Sequence, residues 1–227
     1  MLKRILTKKR YFQNIYKAQK GITGLETAII LIAFVVVAAV FAYTVLSAGL
    51  FSTQKSQEAV YSGLKETQGT LQMMGSAVAY KGDANIGSTV GKVQFTVSLS
   101  SDSGDPIDLT TGYTDNGNGV SGAAGSNKLQ IAYNDQNVSV ADCVWTKSYI
   151  GNNNGDNMLD PGEKAVITVW LHAENGGTWA TTGSPYLGTN NVDTYHQFTL
   201  EVKPATGATL TIQRTTPGNL DAVIDLH

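Results

Sequence analysis

The pattern of apolar and polar positions divides the chain into three parts. Up to Gly21, basic residues alternate irregularly with apolar ones. From Thr27 to Gln54 there is no charged residue, and Ile29-Ile30-Leu31-Ile32-Ala33-Phe34-Val35-Val36-Val37 is apolar on every face of a helix. Ala28 to Phe51 would make a helix about 36 Å long, against a hydrocarbon core of about 30 Å. β-Branched residues are weak helix formers in water, but lipid forces the backbone to close its hydrogen bonds within the segment. A membrane-competent helix is therefore predicted here.

Beyond Phe51, Val60, Leu64, Leu71, Met74 and Val78 form one apolar stripe at helical spacing, with polar residues between them. The spacing predicts that the helix continues to about Tyr80, weakened at Gly63, Gly69 and Gly75. From Lys81 the period becomes two. Val93–Leu99, Leu129–Ile131, Val138–Val140, Ala165–Trp170, Phe198–Val202 and Leu210–Ile212 read as strands. Asn-, Asp- and Gly-rich turns separate them at 115–125, 151–155 and 174–177. The expected fold is α+β: a long N-terminal hydrophobic α-helix over 22–80, then an antiparallel immunoglobulin-like β-sandwich of about seven strands over 81–227.

Charge adds an orientation. Residues 1–21 hold seven of the 16 basic residues and no acidic one, leaving nine basic against 18 acidic in the remainder, a formal charge of about −9. A basic leader before an apolar span stays cytoplasmic, so the later residues are expected outside. The adjoining span argues against a nucleic-acid role for the leader. Cys143 is the only cysteine, which excludes an intrachain disulfide. Beside Val144 and Trp145 it reads as a small buried hydrophobe rather than a reactive thiol.

The junction at Lys20-Gly21-Ile22-Thr23-Gly24-Leu25-Glu26 carries the most specific chemistry. A secretory signal is cut after its apolar region; here the processing-like sequence precedes it, so cleavage after Gly21 would leave the apolar helix on the mature chain. Ile22 would gain an α-amino group. Glu26, four residues on, could pair with that amine in its own or a neighbouring subunit. A lone carboxylate resting at the headgroup level near a helix start is the plainer alternative.

This combination resembles the class III signal of type IV pilin-like proteins, and within that group the chain is similar to archaeal flagellins, the archaellins. The similarity covers Lys20–Gly49 and the C-terminal Leu210–His227, with Arg214-Thr215-Thr216-Pro217 and the closing apolar-Asp-Leu pattern. It implies cleavage of the 1–21 leader by a prepilin-type signal peptidase while the precursor is inserted in the cytoplasmic membrane. It further implies homo-polymerisation through the N-terminal helices into an extracellular filament, served by a membrane platform and a separate ATP-driven motor.

Two further motifs lie in the β region. Asn152, Asn154, Asp156, Met158 (through its carbonyl), Asp160 and Glu163 fall at positions one, three, five, seven, nine and twelve of a calcium loop. Leu159 would pin the loop to a core, and Asn157 stands where the sharp turn usually has glycine. A polar turn between strands would use the same residue types. Asn137-Val138-Ser139 is the chain's one glycosylation sequon.

No catalytic constellation is present. His172, His196 and His227 are isolated in sequence, and no metal-binding Cys or His pair or phosphate loop occurs. The reading is a structural filament subunit with no catalysis of its own. An adhesive pilin shares the leader and helix but not the C-terminal pattern. A monomeric membrane-anchored β-sandwich binding protein would be neither cleaved at Gly21 nor assembled.

Overall fold

In the computed structural model the described residues are 2–102, 104–117, 119–122, 127–182 and 186–226, with side chains described from Gly24 onward. Helix α1 spans Leu2–Gln68. The chain divides into two compact units, Met1–Val60 and Tyr61–His227.

The second unit begins with the last turns of α1 and continues into strands β1 (Leu71–Lys81), β2 (Val90–Leu99), β3 (Ile107–Asp108), β4 (Tyr113–Asp115) and β5 (Val120–Gly122). There follow β6 (Gln130–Asn134), β7 (Ser139–Val140), β8 (Val144–Ile150), β9 (Met158–Leu159) and β10 (Lys164–Trp170). The last are β11 (Ala173–Asn175), β12 (Thr178–Ala180), β13 (Gln197–Lys203), β14 (Leu210–Thr215) and β15 (Val223–Leu226). One sheet has the order β15-β1-β2-β10-β8, a second β14-β13-β6-β7, and three two-stranded ribbons fill the connections. Among the described residues every strand pairing is antiparallel.

The alternation read in the sequence is what builds the sandwich. Val93, Phe95 and Val97 of β2 and Ala165, Ile167 and Val169 of β10 turn inward from the first sheet. Ile131 and Tyr133 of β6 and Phe198, Leu200 and Val202 of β13 turn inward from the second, in one shared core. The Tyr133 and Phe198 rings stack with centroids 5.7 Å apart. Each such side chain contributes on the order of 1.5–3 kcal/mol of burial. The three tryptophans are all buried: Trp145 in this core, Trp170 and Trp179 in a smaller cluster with Ile86 and Val144. Trp145 Nε1 donates to Leu129 O at 3.1 Å, and Trp170 Nε1 to Thr146 Oγ1 at 3.0 Å, so neither indole is left unsatisfied. Cys143 is also buried, and burial, with Asp142 nearby, pushes its thiol up to about 12.

The helix does not reach Tyr80. It stops at Gln68, and residues 71–81 form β1 between β2 and β15. Gly69 N closes onto Lys65 O at 3.1 Å, and Thr70 Oγ1 donates to Glu66 O at 3.1 Å, satisfying two terminal helix carbonyls. Leu71, Met74 and Val78 read as a helical stripe in sequence because β1 is bulged. Between the pairs Met74↔Thr96 and Val78↔Gln94 it advances four residues while β2 advances two. Gly75, at φ +82, supplies the left-handed residue of that bulge. The inward side chains are Leu71, Ala77 and Ala79, and pairing on both sides overrides the helix preference of alanine.

Candidate functional site

In the first unit, the segment singled out by its lack of charge is helical and wholly solvent-facing. Its large apolar side chains from Leu25 to Phe51 are 56–73% exposed. The stretch Gly24–Gln68 is long and apolar enough to cross a membrane, and none of its most apolar window is buried within the chain. A helix hydrophobic all round has to be covered by lipid or by other protein. Glu26 is exposed at the start of this surface. Lys20, Gly21 and Ile22 lie within α1, but their side chains fall outside the described residues.

The acidic loop lies between β8 and β10. Leu159 is fully buried in the main core, and Met158–Leu159 pairs with Ile107–Asp108. Asn154 gathers the other candidate ligands around itself. Its Nδ2 donates to Asp156 Oδ2 at 3.0 Å and Asp160 Oδ2 at 2.8 Å, while its backbone N–H donates to Glu163 Oε1 at 3.1 Å. Glu163 Oε2 accepts from Asp160 N at 3.2 Å, and Asn152 is exposed beside them. Partial desolvation and the charges of Glu163 and Asp156 raise the Asp160 carboxyl above its usual range.

The loop departs from the calcium frame at three points. The left-handed residues of the loop are Gly155, at φ +89, and Gly162, at φ +87, and Asn157 is not among them. The Met158 carbonyl accepts from Tyr149 Oη at 2.8 Å. Among the described residues no three His, Cys, Asp or Glu side chains are placed to hold a metal ion together.

The sequon occupies the turn between β6 and β7. Asn137 is exposed, and Ser139 Oγ donates to Asn134 Oδ1 at 2.6 Å. Beneath it is a cluster that the linear motifs do not reveal. Asp135 accepts from the backbone N–H of Asn137 at 2.6 Å, from that of Val138 at 2.7 Å and from Tyr133 Oη at 2.8 Å. The His196 ring stands 3.0 Å from the same carboxylate, so this histidine is isolated in sequence only. The available signal was an Asp two residues before an exposed Asn, the spacing at which Asp caps a turn. His172, in contrast, is fully buried, with neither ring nitrogen partnered among the described residues, and burial lowers its pKa.

A profile of archaeal-type flagellin matches residues 21–214. The chain is 36% identical to probable flagellin 2 of Archaeoglobus fulgidus over 212 residues, covering 90% of this chain and 93% of that one. It is 31% identical to probable flagellin 1 of Aeropyrum pernix, covering 90% and 95% of the two chains. Among solved structures it is similar to a subunit of the archaeal flagellum of Methanospirillum hungatei, with a TM-score of 0.59 and 29% identity over 89% of this chain and 98% of that one.

Proposed function

The chain belongs to the archaeal-type flagellin family, and from that premise we infer that it is a structural subunit of the archaellum, polymerising with copies of itself into an extracellular surface filament. This is a family of structural proteins and not of enzymes. The observation that carries the reading is the fully exposed, uncharged helix. An isolated subunit cannot cover that surface, whereas identical helices side by side can. Identical subunits meeting through two different patches build an open helix rather than a closed ring. The β-sandwich, with its buried core, stands as an independent body able to form the solvent-facing wall.

Maturation follows the order set by the junction. The precursor is held in the cytoplasmic membrane by α1, a prepilin-type peptidase cuts after Gly21, and Ile22 becomes the amino terminus. Glu26 then pairs with the new amine, which offsets the cost of a carboxylate in an apolar core. A membrane platform draws the helix from lipid, and a separate motor rotates the filament.

The acidic loop is assigned to calcium, held by Asn152, Asn154, Asp156, Asp160 and Glu163 with the Met158 carbonyl. The fit is partial: Gly155 and not Asn157 makes the sharp turn, Tyr149 already bonds the Met158 carbonyl, and among the described residues no three acidic side chains are placed to hold an ion together. Three carboxylates crowded on one exposed turn support it, since a cation would relieve their repulsion. Asn137 is assigned as a glycan site because it is exposed on a turn outside the cell.

Electron microscopy of filaments sheared from cells, with N-terminal sequencing of the main protein, tests the reading. Filaments whose subunit begins at Ile22 are expected, and deletion of the subunit should abolish swimming. A protein found only in membranes with its leader intact would overturn it, and loss of attachment with normal swimming would favour an adhesive pilin.

A further inference from the structure

The end of α1 is gripped by backbone on two sides. Gln68 and Gly69 meet the β2–β3 loop and the β13–β14 turn at places where glycine alone fits. A Cβ on Gly104 would run into the carbonyl oxygen of Gln68 and would also lie 2.9 Å from Leu99 Cδ2. A Cβ on Gly207 would run into the carbonyl oxygen of Gly69, and one on Gly69 would stand 3.0 Å from Thr206 O. Gly207 has φ +112, so its turn also needs a residue without a side chain.

Hydrogen bonds close the same joint. Ser100 N donates to Thr70 O at 2.9 Å and Gln72 Nε2 donates to Leu99 O at 3.1 Å, while Gly104 N donates to Ser101 O at 3.3 Å and so shapes the β2–β3 loop itself. The Lys65–Asp105 ion pair, at 3.7 Å with both side chains more than half exposed, adds little.

We propose that Gly104 and Gly207 are positioning residues for assembly: by admitting the carbonyls of Gln68 and Gly69 at backbone contact, they fix the last turn of α1 to the β-sandwich and thereby set how successive copies of this chain are stacked. The inference rests on the filament reading above. A joint made of side chains can shift by changing rotamers; one made of backbone against backbone has a single close-packed arrangement. In a helical polymer a small change at that joint recurs in every subunit, so it alters the twist of the whole filament rather than one contact.

The sequence places these residues in polar segments that read only as loops, Ser100-Ser101-Asp102-Ser103-Gly104-Asp105-Pro106 and Pro204-Ala205-Thr206-Gly207. Nothing linear in them indicates an approach to residues 68 and 69.

The test compares full-length Gly104→Ala and Gly207→Ala with Gly91→Ala. The last is a control inside the β-sandwich, where a Cβ would meet the Trp179 ring at 2.6 Å. Hydrogen exchange on the detergent-solubilised chain is read first. Both joint variants should speed exchange of the Gly69 and Ser100 amides by about tenfold and leave those of β2 and β13 protected. Unchanged exchange at Gly69 and Ser100 would overturn the lock.

Helical reconstruction of filaments is read second. An altered twist or rise, or short broken filaments, is expected for the joint variants, and unchanged symmetry for Gly91→Ala. Identical symmetry in all three, or the same defect in the control, would overturn the positioning role. Absence of filaments from the unmodified chain would instead overturn the filament reading, while the exchange result still decides the lock.

Discussion

His196 Nε2 stands 3.0 Å from Asp135 Oδ2, a contact that bridges 61 residues and joins the start of β13 to the β6–β7 turn. The Asp135 side chain is only 2% exposed. Burial alone would push its carboxyl up. Hydrogen bonds from Val138, Tyr133, Asn137 and His196 more than offset this, and it titrates below the usual 3.8. The folded value is therefore depressed, so the stability Asp135 contributes is present above about pH 3.8 and is lost as pH falls through the folded value.

Asp135→Ala should destabilise the β-sandwich by about 2–4 kcal/mol, because it strands the buried Tyr133 hydroxyl and two turn N–H groups. Thermal unfolding at pH 7 measures this. As pH falls below about 3.8 the gap between variant and parent should narrow; a gap independent of pH would show that lost packing, not the charge, is responsible.

His172 predicts a second pH dependence with the same sign. Burial lowers its pKa from 6.5, so the native state refuses a proton that the unfolded chain accepts. Stability is full above about pH 6.5 and declines as pH falls below it. His172→Leu should flatten the decline and cost little at pH 7, since it removes two unpartnered buried nitrogens. A strong loss at pH 7 would reveal a partner for the ring in solution.

For the acidic loop, calcium at ten to a hundred times its dissociation constant should stabilise the parent by about 1.4–2.7 kcal/mol, a rise of several degrees in melting temperature. Asp156→Asn keeps an acceptor for Met158 N, which Asp156 now bonds at 2.7 Å, and removes a charge; it gives up the exposed bond from Asn154 Nδ2, which retains Asp160 Oδ2 as acceptor. It should abolish the calcium response without lowering the melting temperature in chelator. Equal melting temperatures of the parent with and without calcium would leave the loop a plain turn.

Glu26→Gln should be processed and inserted normally but yield at least about tenfold fewer filaments, since a neutral amide cannot balance the Ile22 amine. Quantifying sheared filaments against membrane-held subunit separates the two steps. Normal yield would remove the amine-pairing role.

Loss of the sequon tests the glycan assignment. Asn137→Gln leaves the turn's backbone bonds to Asp135 in place, so stability should change by less than about 0.5 kcal/mol. The mass of the mature subunit should fall by one oligosaccharide. A mass differing only by the substitution would show that the site is unmodified.

Whatever is periodic or local was legible in the order of the residues alone. The 28 uncharged residues from Thr27 to Gln54 can only be a helix needing cover, and strict alternation at Val93–Leu99 and Phe198–Val202 commits those stretches to strands with one buried face. The junction at Gly21 and the C-terminal pattern pointed to the family. What depends on residues meeting across the chain emerged only in the folded molecule. Leu71–Lys81 is a strand because β2 and β15 pair with it, and its Gly75 bulge hid the alternation that would have announced it. Asp135 finds His196, and Gly104 and Gly207 receive the helix end, only once the sheets are stacked. In the acidic loop the ligand order was legible, whereas the turn at Gly155 and the bond from Tyr149 to Met158 were not. Periodicity is a property of each segment's own backbone; these contacts exist only after segments remote in sequence have been brought to within a hydrogen bond of one another.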